Sequence, residues 1–218
     1  MNSQIEKTIK NLQSNNMEAY FCQTKAEAYD KVKSMLNKGD VITNGGSVTL
    51  AETGIMDLIK SGNYTYLDRA REGITREEVE EIYRKAFTAD VYLASANAIT
   101  ESGYIYNVDG NSNRVAAILY GPKSVILVVG KNKIVKTIDD AVTRVRGIAA
   151  PKNTVRLGLN TYCSVNGKCK ALNLPTENNE MCDGCMGDAR ICCNFTLSGK
   201  QRQKNRIKVI IVNENLGY

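Results

Sequence analysis

The chain has 218 residues, is 43% hydrophobic and 24% charged, and carries a formal net charge of +6. That is enough for one large globular domain, and the mild positive excess suits anionic small molecules but falls short of the basic footprint of a nucleic-acid binder. Histidine is absent, which excludes Ser–His and Cys–His catalytic pairs and all His-ligated metals, so proton transfer falls to Glu, Asp, Lys, Tyr or Cys.

Met1-Asn-Ser-Gln-Ile-Glu-Lys lacks the apolar stretch of a signal peptide, and no run approaches the roughly 20 apolar residues of a membrane span. The expectation is a cytoplasmic protein with no membrane insertion, its oligomeric state open. Gln4–Asn15 reads as an amphipathic helix, with Ile5, Ile9 and Leu12 at helical spacing. Glu18–Cys22 reads as a strand. Thr24 then caps a helix running to about Leu36. A strand Val41–Thr43 empties into Asn44-Gly-Gly-Ser-Val-Thr, and a helix follows over about Leu50–Lys60. A strand, a glycine pair with hydroxyls and a helix start can hold an anion, or can merely cap the helix. Tyr64–Leu67 is a further strand. Thr75-Arg-Glu-Glu78 is a capping box opening a helix that ends near Phe87, its glutamates on a solvated face.

Val91-Tyr-Leu-Ala-Ser reads as a buried strand. Val115–Tyr120 and Ser124–Gly130 read as two more, split by Gly121-Pro122. Between them, Asn97–Arg114 is too polar for a core strand. It is either a wet hairpin turning at Asp109-Gly110 or a site built where strands end. Ile138–Ile148 reads as a helix stopped by Pro151. Strand–helix alternation implies a single α/β domain over 1–218, a three-layer, open, largely parallel sheet with helices on both faces. Residues 160–204 form a Cys-rich irregular subregion within it. Lys200, Arg202, Lys204, Arg206 and Lys208 read as a solvated basic stretch, and the last strand is Arg206–Val212.

Six of the seven cysteines lie between Cys163 and Cys193. In a reducing compartment such crowding argues for a metal or redox site over disulfides. Cys182-Asp-Gly-Cys185 has the two-residue spacing of zinc and iron–sulfur sites. With Cys163 and Cys192 it supplies four thiolates for zinc or an iron–sulfur cluster. Cys169 is the competing fourth ligand, and buried free thiols are the alternative.

Thr43-Asn-Gly-Gly-Ser-Val-Thr-Leu-Ala-Glu-Thr-Gly, Ala98-Ile-Thr-Glu-Ser-Gly, Arg144-Val-Arg-Gly and the cysteine tail ending Asn215-Leu-Gly-Tyr resemble, in order and spacing, the LUD-domain family of lactate-utilisation proteins. Relative to that family, Lys170–Met181 is an insertion. The resemblance implies a fold like that of ribose-phosphate isomerases, glucosamine-phosphate deaminases and CoA-transferases, with phosphate or CoA at the glycine loop. It also implies a link to L-lactate oxidation to pyruvate beside iron–sulfur oxidoreductase subunits.

The expected ligand set is Asn44, Gly45, Gly46, Ser47, Thr49 and Glu52 from the glycine loop and first helix turns. From the central segment come Asn97, Thr100, Gly103, Asn107, Asp109, Asn113 and Arg114, the last as a bidentate clamp for a substrate carboxylate. Glu101 is the candidate general base or nucleophile, its pKa expected to be raised by partial desolvation, with a purely structural carboxylate as the alternative. Three functions follow: binding of an anionic small molecule or cofactor in a lactate-oxidation system, a non-catalytic metal or iron–sulfur redox or assembly subunit, and a CoA-transferase- or sugar-phosphate-isomerase-like enzyme.

Overall fold

The computed structural model describes residues 2–175 and 179–218. The strands in chain order are β1 (Glu18–Cys22), β2 (Val41–Asn44), β3 (Thr65–Tyr66), β4 (Val91–Ala94), β5 (Ala98–Thr100), β6 (Ile105–Asp109), β7 (Ser124–Gly130), β8 (Ile134–Val135), β9 (Asn194–Ser198) and β10 (Ile207–Val212). The helices are α1 (Ser3–Ser14), α2 (Lys25–Lys33), α3 (Val48–Glu52), α4 (Ile55–Ile59), α5 (Arg76–Lys85), α6 (Asn113–Tyr120), α7 (Ile138–Arg144), α8 (Ala150–Arg156) and α9 (Tyr162–Asn166). Among the described residues, no helix is long and apolar enough to cross a membrane.

Six strands form one parallel sheet in the order β1-β10-β7-β4-β2-β3. Its adjacent inner strands β10 and β7 are apolar at nearly every position because both faces are covered. Val125, Leu127 and Val129 of β7 pack with Ile5 and Leu12 of α1 and Ile118 of α6. Ile126 and Val128 face the other way, onto Ala28 and Val32 of α2 and Leu50, Ile55 and Leu58 of α3 and α4. This is the three-layer α/β arrangement expected.

The polar central segment takes the hairpin form of the two expected, with its turn at another place. It folds as a β-hairpin, β5 against β6, with Ile99 opposite Ile105. The turn is at Glu101–Gly103 and not at Asp109-Gly110. Gly103 has φ +77°, and a Cβ there would lie 2.6 Å from the Asn11 backbone, so only glycine lets the hairpin tip reach α1. Strands β8 and β9 complete a second sheet in the order β8-β5-β6-β9. Tyr106, Ala98 and Val108 of that sheet pack on Ala141, Val145 and Ala150.

Val115–Tyr120, expected as a strand, is the body of α6. A six-residue apolar run fits either period; here Val115 and Ile118, three apart, are buried while Tyr120 is 85% exposed. Arg206, expected in a solvated stretch, is buried and donates to the carbonyls of Ala117, Ile118 and Leu119, closing the C-terminal end of α6. The expected Leu50–Lys60 helix is broken at Gly54, φ +72°, into α3 and α4.

Pro151 does not stop its helix. The chain runs from α7 through a widened π-type turn, Val145–Ala149, into α8, where Pro151 sits in the first turn. The Ala150 N–H reaches back five residues to Val145, and this local widening accommodates the ring and the missing donor of the proline. The insertion at Lys170–Met181 lies in part, at 176–178, outside the described residues.

Candidate functional site

The C-terminal ends of β2 and β4, and the turn after β7, open onto one side of the parallel sheet, where open α/β sheets bind ligands. A cavity of about 520 Å³ lies there, lined by Gly46, Arg69, Asn97, Asp109, Asn113, Arg114 and Arg156 among others. It adjoins a smaller one of about 90 Å³, lined by Ser47, Thr49, Ser95, Lys133, Arg156 and Tyr218. Gly46, Asn97, Arg114 and Arg156 border both.

The glycine loop does two things. Ser47 caps α3, accepting from the Leu50 N–H at 3.2 Å. The glycines bring the backbone close to cationic side chains. A Cβ on Gly45 would stand 2.9 Å from Arg114 Cδ; one on Gly46 would stand 2.9 Å from Arg69 Nη2 and 4.0 Å from Arg156 Nη2. Two guanidinium groups thus flank Gly46. Arg69 also touches Tyr83, and Arg156 donates to Asn153 and Tyr218. Among the described residues neither has a carboxylate partner. Asn44, expected as a ligand contact, is tied instead to Gly45, Met56 and Tyr66.

Arg114 was expected to clamp a substrate. It is buried, and its donors are already taken. Nη1 gives to Asn107 Oδ1 (2.7 Å) and Ser95 O (3.3 Å), Nη2 gives to Val108 O (2.7 Å) and Asn97 Oδ1 (3.0 Å), and Nε faces Asp109 at 3.4 Å. Of the five N–H groups of a guanidinium, four are hydrogen-bonded and the fifth, on Nε, faces the Asp109 carboxylate. Arg114 therefore ties β4, β5 and β6 together beneath the cavity. Asp109 in turn accepts from the Ser112 N–H at the start of α6. Asn97 accepts from the Val108 N–H, and Asn107 Nδ2 is buried without a partner among the described residues. These polar groups of the central segment form the floor.

Glu101 lies elsewhere. At the hairpin tip its carboxylate meets Lys7 at 2.9 Å and Gln4 at 3.1 Å on α1. The hydrogen bonds from Lys7 and then Gln4 hold its pKa below the usual carboxylate range, the opposite of a raised pKa. It lines neither cavity. Thr100 and Gly103 belong to the same tip, Thr100 accepting from the Tyr104 N–H. Glu52 accepts from the Gly217 N–H and secures the tail.

The residue that sequence reasoning missed is Lys133. It follows β7 and is 3% exposed. Its Nζ donates to Ser95 Oγ at 2.9 Å and Thr49 Oγ1 at 3.0 Å. Burial, reinforced by the positive charges of Arg144 and Arg114, lowers its pKa from 10.5 to about 7. Arg144, also buried, holds Asn97 O at 2.6 Å and Asn132 O at 3.0 Å. Nothing in Lys131-Asn-Lys133 distinguishes one lysine from the other; only the fold turns one inward.

The cysteine lobe packs against α7 and α8, and Cys192 and Cys193 also line the 520 Å³ cavity. Cys163, Cys169, Cys185 and Cys192 line a small, mostly apolar cavity of about 20 Å³ with Tyr106, Val145 and Phe195. Cys182, expected as a ligand, is exposed, and Cys169 takes its place at the cavity. Burial pushes the Cys192 thiol up to about 12. Arg146 and Arg190 hold this lobe by its backbone carbonyls, Arg146 reaching Glu180 and Asp183 and Arg190 reaching Cys185 and Cys192. Four thiols suit zinc or an iron–sulfur cluster chemically. As arranged, however, no group of three or more Cys, Asp or Glu side chains among the described residues is placed to hold a metal ion.

No curated protein matches the chain significantly. Among solved structures it is similar to a DUF162 family protein from Deinococcus radiodurans, at 16% identity over 96% of this chain and 94% of that one, with a TM-score of 0.50, a likeness of fold. It also overlaps eIF2B delta from Chaetomium thermophilum at 18% identity over 55% of this chain and 50% of that one, with a TM-score of 0.36, too low to carry an argument. A model of the LUD domain matches residues 5–212. With that match running nearly end to end, the chain belongs to the LUD domain family.

Proposed function

We propose that the protein binds a small organic anion, a 2-hydroxy or 2-oxo acid of the lactate and pyruvate type, as a component of a lactate-oxidation system. Its carboxylate would lie against Gly46 between Arg69 and Arg156. The observation that carries this reading is the pair of guanidinium groups flanking Gly46 without a carboxylate partner among the described residues. Two like charges held together in a cavity repel until an anion arrives, so the ligand relieves a cost already built in. A CoA-transferase-like route through Glu101 has no support, because that carboxylate, at the hairpin tip, is bound to Lys7 and Gln4 of α1 and lines neither cavity.

The test is thermal unfolding in the presence of L-lactate, pyruvate, inorganic phosphate and CoA. A ligand at a hundred times its Kd stabilises by about 2.7 kcal/mol. Arg156→Ala and Arg69→Ala should each remove most of that gain without lowering the unliganded midpoint by more than a degree or two. Failure of all four ligands to stabilise the wild type would overturn the reading.

A second reading, a metal-carrying redox or assembly subunit working with iron–sulfur partners, is favoured by the four thiols around one cavity. Metal analysis of anaerobically purified protein tests it. Cys169→Ser should abolish any bound zinc or iron and Cys182→Ser should leave it in place; metal-free wild type would remove this reading.

A further inference from the structure

We propose that Lys133 forms a covalent imine with the carbonyl carbon of a small 2-oxo acid bound in the cavity. The inference rests on the anion-binding reading above and extends it to the reaction.

Its basis is the placement of the Nζ. The group lines the 90 Å³ cavity beside Ser95, Thr49 and Arg156. That space is several times the ~10–15 Å³ one water requires, and it suits a ligand of few atoms. Lys133 is held by two hydroxyls and, among the described residues, by no carboxylate. A lysine that merely holds structure is usually exposed or paired with an acid, because an unpaired ammonium is costly to bury. Here the neighbouring charges are Arg144 and Arg114, both positive, with Glu52 the opposing acid.

These surroundings favour the neutral amine near neutral pH, and a neutral amine facing a cavity is a nucleophile. Arg69 and Arg156 already supply the charge a carboxylate needs. With the carboxylate there, the neighbouring carbonyl carbon of a 2-oxo acid is the electrophile left for the floor of the cavity.

The step balances without any other reactant. The Nζ lone pair adds to the carbonyl carbon, and a proton leaving nitrogen passes to the carbonyl oxygen, with the Ser95 or Thr49 hydroxyl as relay. The resulting carbinolamine loses its hydroxyl, with one more proton, as water. What remains is a carbon–nitrogen double bond to Lys133, and nothing is oxidised or reduced. Such an imine would activate the adjacent carbon of the ligand toward loss of a proton.

The experiment is reductive trapping. The protein is incubated with sodium borohydride and, separately, glyoxylate, pyruvate, 2-oxobutyrate or 2-oxoglutarate, then digested and mapped by mass spectrometry. The expected result, with at least one of the four, is a reduced adduct on Lys133 at close to one per chain, at least tenfold above any other lysine. Lys133→Arg should lose it. Adducts spread over exposed lysines, or none with any of the four acids, would overturn the proposal. Mapping the wild type makes the result independent of how any variant folds. Thermal stabilisation by pyruvate without an adduct would sink the imine and leave the anion site standing; no adduct together with no stabilisation by L-lactate, pyruvate, phosphate or CoA would sink both.

Discussion

Replacing Lys133 by methionine should change the stability difference between variant and wild type steadily in favour of the wild type as pH rises. The sign follows from proton counting. In the unfolded chain the amine titrates near 10.5, whereas in the fold it titrates near 7. Between those values the unfolded chain holds a proton that the folded chain lacks, so wild-type stability climbs with pH across that window. Below it, the fold bears the full cost of a buried ammonium. At roughly 1.4 kcal/mol for each tenfold change in proton affinity, that cost is about 5 kcal/mol. Methionine removes it and loses two hydrogen bonds, leaving the Thr49 and Ser95 hydroxyls to find other partners at about 1–3 kcal/mol each. The variant should then range from about 1 kcal/mol less stable to about 3 kcal/mol more stable near pH 6. The difference between the two proteins should shift by about 4 kcal/mol toward the wild type from pH 7 to pH 10. Urea unfolding across that range measures it, and the subtraction cancels cysteines and tyrosines common to both. A difference that stays flat would refute the claim that Lys133 is buried as the free amine.

Gly46→Val should abolish stabilisation by carboxylates while leaving the far-ultraviolet dichroism intact, since its side chain enters the space beside Arg69 Nη2; unchanged stabilisation would remove the loop from the site. Arg114→Ala should destabilise by about 3–5 kcal/mol, because it leaves the Asp109 carboxylate without its cation and takes a donor from four oxygen acceptors beneath the cavity, and chemical denaturation would show it. Glu101→Gln should leave ligand-induced stabilisation unchanged in the same thermal assay, and a clear loss would return that carboxylate to the site.

What could be read from the sequence was what repeats or what is rare. The runs Ser124–Gly130 and Ile207–Val212 announce strands covered on both faces, and Thr75–Glu78 announces a helix start, because each pattern has one physical solution. The paired glycines of Gly45-Gly46 mark a close approach, though not what approaches. Three features stayed hidden because each depends on contacts distant in the chain. Lys133 is distinguished by Thr49 and Ser95, which lie 84 and 38 residues away. Arg114 looks like a free clamp until Asn97, Asn107 and Val108 are seen to occupy it. Cys169 joins Cys185 and Cys192 at the apolar cavity although the Cys182–Cys185 spacing suggests another set. Val115–Tyr120 failed for a local reason: six apolar residues with two alanines serve a helix and a strand equally until one face is covered.

The widened turn at Val145–Ala149 sets the angular phase of everything after it. On its near side Arg144 reaches Asn97, within it Arg146 reaches the cysteine lobe, and beyond it Asn153 and Arg156 face the cavity. Removing one residue from the turn would let an ordinary helix continue and would rotate all that follows by about 100°. Asn153 and Arg156 would swing out of the cavity, and Pro151 would again press on a carbonyl one turn back. The number of residues in this turn thus matters more than their identity. Ile148, 42% exposed, can vary, whereas a single deletion beside it would disassemble the anion site while leaving the parallel sheet whole.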